Sequence, residues 1–411
     1  MLPDKIRQLN VAINGVAAGQ LLKHSVYEYR YNSPAPDQAS VALLMPASSS
    51  PTWQDGDLFA VMDQNLPEGD LFMRLRAMFP KQPLTPMHLL ALVGANAIGR
   101  LGFAMPDTDP APRAATIDRQ TLLSTRYSPA VFDELVRAYL STGAGIAGMQ
   151  PKIMVPDRPT VPIPSLIVKA ASDAYPDLAA NEFLCLSAAQ RAGIDTPTFD
   201  LSHDGQMLIV DRFDLIAHPD GDGVDRLGFE DVASLLGLRV RDVLSDRKYQ
   251  GSYERVAQLL QYLRLPAESL HRFFAQVAFS VMVRNGDGHL KNFGVLYTSA
   301  DDMRLAPMFD VVTTAIYKYT RYNGGPELED RTMALKLFSG KHHTKTYPTK
   351  EELIHFGRQV CGVGRPEVIL GHIAQAMSET LAKATHDARI PASLLAKLSP
   401  VWADGMGYGK R

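Results

Sequence analysis

A glycine triplet in the wrong company for a dinucleotide fold constrains this chain most. Gly143-x-Gly145-x-x-Gly148 has the spacing that cradles a pyrophosphate. In a Rossmann unit that spacing follows a strand and opens a helix, whose N-terminus meets the phosphates. Here Val131, Leu135 and Tyr139 recur one turn apart upstream, which predicts a helix over 130–140 before the loop. Downstream, Pro151 and then Ile153-Met154-Val155 predict a strand. That order suits a loop that covers phosphates between two strands with backbone N–H groups. A flexible connection would carry the same glycines, so the loop assigns nothing alone.

The rest of the pattern is mixed. Residues 9–13 alternate toward Asn14-Gly15, a hairpin signal. Helices are predicted over 71–79 and 87–97, and the Pro-rich, polar stretch 105–118 reads as a boundary. After the glycine loop come strands at 153–155 and 166–169, a helix over 179–193 and a hairpin formed by 199–201 and 207–210. Beyond Phe229 the chain turns helical. Leu270, Phe274, Val277 and Val281 mark a buried helix that stops at Asn285-Gly286, and 349–400 is helical again. The reading is α+β: a sheet-rich part before a larger helical part. Three domains are expected, at 1–105, 106–228 and 229–411.

Composition narrows the class. The 411 residues are 46% hydrophobic and carry a formal net charge of -2, so a global electrostatic hold on nucleic acid or anionic membrane is not indicated. Cys185 and Cys361 lie in apolar helical contexts and read as small buried hydrophobes. No apolar run is long enough to span a bilayer, and the N-terminus lacks a signal-peptide core, so a soluble cytoplasmic protein without membrane contact is expected.

The chemistry concentrates in Asn285-Gly286-Asp287-Gly288-His289-Leu290-Lys291-Asn292. Phosphoryl transfer needs a carboxylate to accept the hydroxyl proton and oxygen ligands for Mg²⁺. Asp287 and Asn292, five positions apart, supply both, with His289 and Lys291 as further donors. Asn-Gly and Asp-Gly also make ordinary surface turns, although a turn does not require the His, Lys and Asn. A strand, turn and second strand over 293–309 would return the chain to its start and set Asp310 beside the loop. Asp310 would serve equally as a helix N-cap. Lys169, at the end of its strand, is placed to meet phosphate oxygens, with Glu182 on the next helix as an ion-pair partner. Lys341, His342, His343 and Lys345 form a basic patch, and Tyr317 to Tyr322 an aromatic-basic segment; neither is assigned a role.

Taken in order, the motifs resemble the HipA family of bacterial serine/threonine kinase toxins. They are Gly148-Met149-Gln150-Pro151-Lys152, Ile167-Val168-Lys169, Asn181-Glu182-Phe183, Asp211-Arg212-Phe213-Asp214, Phe229-Glu230-Asp231, Asn285 to Asn292 and Leu305 to Val312. In the N-terminal part, Asn65-Leu66-Pro67-Glu68-Gly69 and Gly94-x-x-x-x-Gly99 resemble the family's added subdomain. The resemblance implies a two-lobed, protein-kinase-like fold with a small sheet-rich N-lobe, an N-terminal subdomain and a helical C-lobe. It implies Asp287 as catalytic aspartate, and Asn292 and Asp310 as Mg²⁺ ligands. Lys169 would hold ATP, together with the loop Ala147, Gly148, Met149, Gln150, Pro151 and Lys152. Asp211, Arg212 and Phe213 would line the adenine, Phe309 its other face, and His289, Leu290, Lys291 and Asn292 the phosphates.

The family's substrates are translation components, notably aminoacyl-tRNA synthetases such as the glutamyl enzyme. Its usual partner is a small HipB-like helix-turn-helix antitoxin, through which DNA is contacted indirectly. Family members commonly carry an autophosphorylated serine at the positions of Gly145 or Ala147; neither is serine here, which puts that self-inactivation in question. Ser234 stands where glutamine is frequent. An antitoxin-bound, ATP-binding co-repressor and a small-molecule kinase are the competing readings.

Overall fold

The first hairpin shows how local sequence sets this architecture. In the computed structural model, Gln8–Ile13 (β1) and Val16–Lys23 (β2) pair antiparallel around Asn14 and Gly15, at φ 49° and 77°. Both turn residues are left-handed, as a two-residue turn matched to strand twist demands. Tyr27–Tyr31 (β3) and Thr52–Asp55 (β4) extend the sheet. Three helices follow: Ala60–Asp63 (α1), Gly69–Met78 (α2) and Pro86–Val93 (α3). Leu101–Ala104 (β5) returns to β1 and completes a five-stranded sheet ordered β4-β3-β2-β1-β5. The helix expected to reach residue 97 ends at Val93, because Gly94 caps it against Phe103, 2.9 Å from where a Cβ would stand.

The structure describes residues 3–32, 40–106, 116–141, 152–155, 164–170, 175–218, 223–319, 325, 327–329 and 331–410. Residues 107–115 of the expected boundary, the glycine loop from 142 to 151, and residues 320–322 of the aromatic-basic segment lie outside them.

The chain then runs Arg119–Ser124 (α4), Pro129–Ser141 (α5), Lys152–Val155 (β6), Leu166–Ala170 (β7) and Leu178–Arg191 (α6). Phe199–Leu201 (β8) and Met207–Asp211 (β9) form the expected hairpin in a sheet ordered β6-β7-β9-β8. Leu215–Ala217 (β10) and Val224–Arg226 (β11) pair with each other, and Gly228–Asp231 (β12) leads into Val232–Leu235 (α7). Tyr253–Tyr262 (α8) and Ala267–Met282 (α9) are followed by Gly294–Tyr297 (β13) and Met303–Leu305 (β14), in the order β12-β13-β14. Lys318–Tyr319 (β15) pairs Leu328–Glu329 (β16). Lys350–His355 (α10), Pro366–Ala384 (α11) and Ala392–Met406 (α12) close the chain.

Two compact units result. One takes Met1–Ala170, Ile209–Arg247 and Gly294–Met303; the other takes Ala171–Leu208, Lys248–Phe293 and Arg304–Arg411. In the second, α9 is the spine: Phe273, Phe274, Val277, Ala278 and Val281 are buried along its length. Each of the Phe and Val side chains contributes roughly 1.5–3 kcal/mol over exposure. Phe293 continues this core, its ring 5.2 Å from that of Phe273 and 5.8 Å from that of Tyr253. Cys185 and Cys361 are buried free thiols, each pushed up to about 12 by burial. Among the described residues no helix is long and apolar enough to cross a membrane.

Of the strand expected over 304–309 only Arg304 and Leu305 are extended, in a strand that runs Met303–Leu305. Pro307 has no N–H to give a ladder. Met308 instead donates its N–H to the carbonyl of Asp195 at 2.8 Å. No helix begins at Val311, so Asp310 is not an N-cap; a 3₁₀ turn, Thr314–Ile316, lies farther on.

Candidate active site

The acidic loop inherits its position from the way α9 ends. Arg284 adopts φ 57°, and the next N–H, of Asn285, reaches back to the carbonyl of Ser280 at 2.8 Å. This is the reversal that usually falls to glycine. A non-glycine residue there costs on the order of 1–2 kcal/mol. The guanidinium offsets that cost: it pairs with Asp404, lies 4.4 Å over the Tyr347 ring and contacts the Tyr408 hydroxyl at 3.5 Å.

From there the loop backbone is tied at nearly every step. Gly286 N–H donates to Thr314 Oγ1 at 2.7 Å, and Thr314 Oγ1 donates to the Arg284 carbonyl at 3.1 Å. Asp287 N–H donates to Asn285 Oδ1 at 3.0 Å, closing an Asx turn. The Tyr253 hydroxyl donates to the Gly288 carbonyl at 2.8 Å. A Cβ at Gly288 would stand 3.1 Å from that hydroxyl, so the close approach favours glycine. His289 N–H donates to Asn292 Oδ1 at 3.2 Å.

Held by this frame, Asp287 presents a side chain that is 50% exposed. The Tyr249 hydroxyl donates to its Oδ1 at 2.6 Å, and His289 Nε2 lies 3.9 Å from the same oxygen. His289 is buried. Burial, then the ammonium charges of Lys248 and Lys291, holds its imidazole well below the usual range, so the ring is neutral at pH 7.

Asn292 and Asp310 do meet. Asn292 Nδ2 donates to the Asp310 carbonyl at 3.3 Å. Asp310 sits at φ 52°, a sparsely populated conformation for a side-chain-bearing residue. The segment after it is clamped by Asn181, whose amide takes the Thr313 N–H at 3.0 Å and gives to the Thr313 carbonyl at 3.1 Å. Trp402 Nε1 donates to Thr313 Oγ1 at 2.8 Å from the other side. Leu290 is buried, and Phe309 precedes Asp310, half-buried.

Lys169, Asp211, Arg212 and Phe213 belong to the other unit. Lys169 is buried on β7, opposite Lys152 of β6 in the strand register. Asp211 pairs with Arg119. Arg212 is wholly committed to architecture: it forks onto Asp214 at 3.0 and 2.7 Å and donates to the carbonyls of Asn96, Ala97 and Pro164 at 2.9, 2.9 and 3.2 Å. Phe213 packs edge-on against Phe229, centroids 5.4 Å apart. Glu182 is buried on α6 of the second unit. Ala147, Gly148, Met149, Gln150 and Pro151 lie outside the described residues.

Sequence reasoning missed Lys248, Tyr249 and Tyr253. Tyr249 is 38 positions from Asp287, and no local pattern joins them. Tyr253 falls on the apolar phase of α8 and looks like core.

A chain of small antiparallel sheets and helices with such a loop has the HipA-like, kinase-type fold. It is similar to the solved HipA of the Shewanella oneidensis MR-1 toxin–antitoxin system, which was determined with HipB and operator DNA. That likeness has a TM-score of 0.66 at 17% identity and covers 98% of this chain and 96% of that one.

The chain belongs to the HipA family: the HipA-like C-terminal domain matches residues 144–386, more than half of its length, and the HipA N-terminal domain matches residues 9–104. Two relatives from Sinorhizobium fredii bear kinase names. "Putative kinase Y4dM" is 27% identical over 61% of this chain and 61% of its own length, less than two thirds of that protein. "Putative kinase Y4mE" is 26% identical over 74% of this chain and 73% of its own length.

Proposed function

We propose that this chain is an ATP-dependent serine/threonine protein kinase, the toxin of a toxin–antitoxin pair. The observation that carries the reading is Asp287: a half-exposed carboxylate on a loop whose backbone is fixed by Thr314, Tyr253 and its own side chains. In this reading Asp287 takes the proton of an acceptor hydroxyl as that oxygen attacks the γ-phosphorus of ATP. The bond from the γ-phosphorus to the bridging oxygen breaks, and ADP leaves.

Asn292 and Asp310 are neighbours through the Asn292 amide and the Asp310 main-chain carbonyl, and their side-chain oxygens are hard donors whose chemistry fits Mg²⁺ shared with nucleotide phosphates. Bound there, Mg²⁺ supplies charge neutralisation on the phosphates. His289, Leu290 and Lys291 are assigned to the phosphates, where a neutral His289 adds no charge. Lys169 and the 147–152 loop are assigned to the nucleotide phosphates, and Asp211, Arg212, Phe213 and Phe309 to the adenine. Because the Arg212 side chain is occupied, its contribution there is to hold the backbone of that segment.

As substrate we propose a translation component, an aminoacyl-tRNA synthetase and first the glutamyl enzyme, as the family resemblance implies, with growth arrest and persistence as the outcome. The likeness to a HipA solved with HipB and operator DNA supports a HipB-like antitoxin as partner, with DNA reached through it.

The test is phosphate transfer from γ-labelled ATP with Mg²⁺, joined to a phosphoproteome comparison of cells expressing wild type or Asp287→Asn. Loss of a general base predicts a drop of ~10²–10⁴-fold. Transfer retained in Asp287→Asn removes Asp287 from its role.

A further inference from the structure

We infer that Tyr249 is a positioning residue for the Asp287 carboxylate. The inference rests on the kinase reading of Asp287 and adds a residue outside the acidic loop. Rotation of an aspartate carboxylate about its last bond is broad and roughly two-fold, so a loop fixed at its backbone still leaves the proton-accepting oxygens undirected. The phenol supplies that direction. Its hydroxyl donates to Oδ1 at 2.6 Å, the short contact of a hydrogen bond to a charged acceptor. With one oxygen pinned, the plane of the other is set.

The phenol is itself held from several sides. Its ring stands edge-on to His289, centroids 5.2 Å apart at 77°. The ammonium groups of Lys248 and Lys345 lie 5.4 and 5.7 Å from its centroid. Four residues on, Tyr253 binds the Gly288 carbonyl, so two tyrosines of one segment grip neighbouring residues of the loop. A ring packed in this way orients its partner; a mobile gate would need freedom to leave.

The experiment compares wild type, Tyr249→Phe, Asp287→Asn and the double variant, with γ-labelled ATP, Mg²⁺ and dephosphorylated casein as acceptor. Loss of orientation without loss of binding predicts kcat lower by about tenfold in Tyr249→Phe, with the KM for ATP within about twofold of wild type. Melting temperature should stay near that of wild type, and the phenylalanine should have no further effect in the Asp287→Asn background.

A second measurement needs no turnover. The ultraviolet tyrosinate titration of wild type minus Tyr249→Phe isolates this phenol, which should ionise at higher pH than in the Asp287→Asn background. Equal kcat, a higher kcat, phosphate found on Tyr249, or identical titration in both backgrounds each overturns the inference. A wild type that transfers no phosphate while the titration coupling persists overturns the kinase reading instead and leaves the Tyr249–Asp287 contact standing.

Discussion

Two polar clusters of this molecule share a vocabulary and differ in what is left over. In the first unit, Arg212 and Asp214 are fully buried, and Asp214 also takes the Gly99 N–H at 2.7 Å. Gly99 sits at φ 90°, so the pair locks a turn that only glycine makes easily. In the second unit the acidic loop is tied as thoroughly through its backbone, yet Asp287 remains half-exposed. A charge whose bonds all go to the protein serves architecture. A charge kept near water on a saturated frame is available for chemistry.

The comparison can be broken most decisively at Asp214. Asp214→Ala strands a buried guanidinium, and removal of one partner of a buried ion pair costs about 3–5 kcal/mol. Denaturant unfolding should show that loss, whereas Asp287→Asn should leave the unfolding midpoint nearly unchanged. Equal destabilisation by both would erase the distinction.

Glu230 sharpens the architectural side. It accepts from the Leu43 N–H at 2.7 Å and the Tyr297 hydroxyl at 2.8 Å, with 1% of its surface exposed. Burial pushes its carboxyl up to about 7 from an ordinary 4.5, against the lowering effect of those hydrogen bonds. A raised carboxyl binds its proton more tightly when folded, so its stabilising contribution is complete below pH 4.5 and is lost as pH rises through 7. The change is on the order of 3 kcal/mol at most. Unfolding free energies at pH 5 and pH 8 should differ in that direction, and Glu230→Gln should flatten the dependence.

The smallest effect is expected at Tyr253. Tyr253→Phe leaves the Gly288 carbonyl without this donor, a loss of about 1 kcal/mol in stability. The looser loop should lower kcat more than the KM for ATP in the same transfer assay. An unchanged kcat would mean that Asp287 does not depend on this tether.

The sequence by itself determined a good deal of this protein. The Asn14-Gly15 hairpin, the 3.6-residue period of α9, the strands around 153–155 and 166–169, and the order of motifs that marks a HipA-type chain are all local or linear properties. Short-range sterics and periodic burial set them, and a single chain displays them directly. The acidic loop was legible for the same reason, since its residues are contiguous.

Tertiary structure decided which polar residues are spent. Arg212 reads as a site residue in the sequence, and only packing shows it engaged by Asp214 and three carbonyls. Tyr249 and Tyr253 read as nothing, and only the fold brings them to Asp287 and Gly288. The strand before Asp310 is shorter than its pattern promised because Pro307 cannot donate and Met308 found Asp195 instead. Hydrogen-bond partners distant in the chain are chosen by burial and geometry, and no local pattern records that choice.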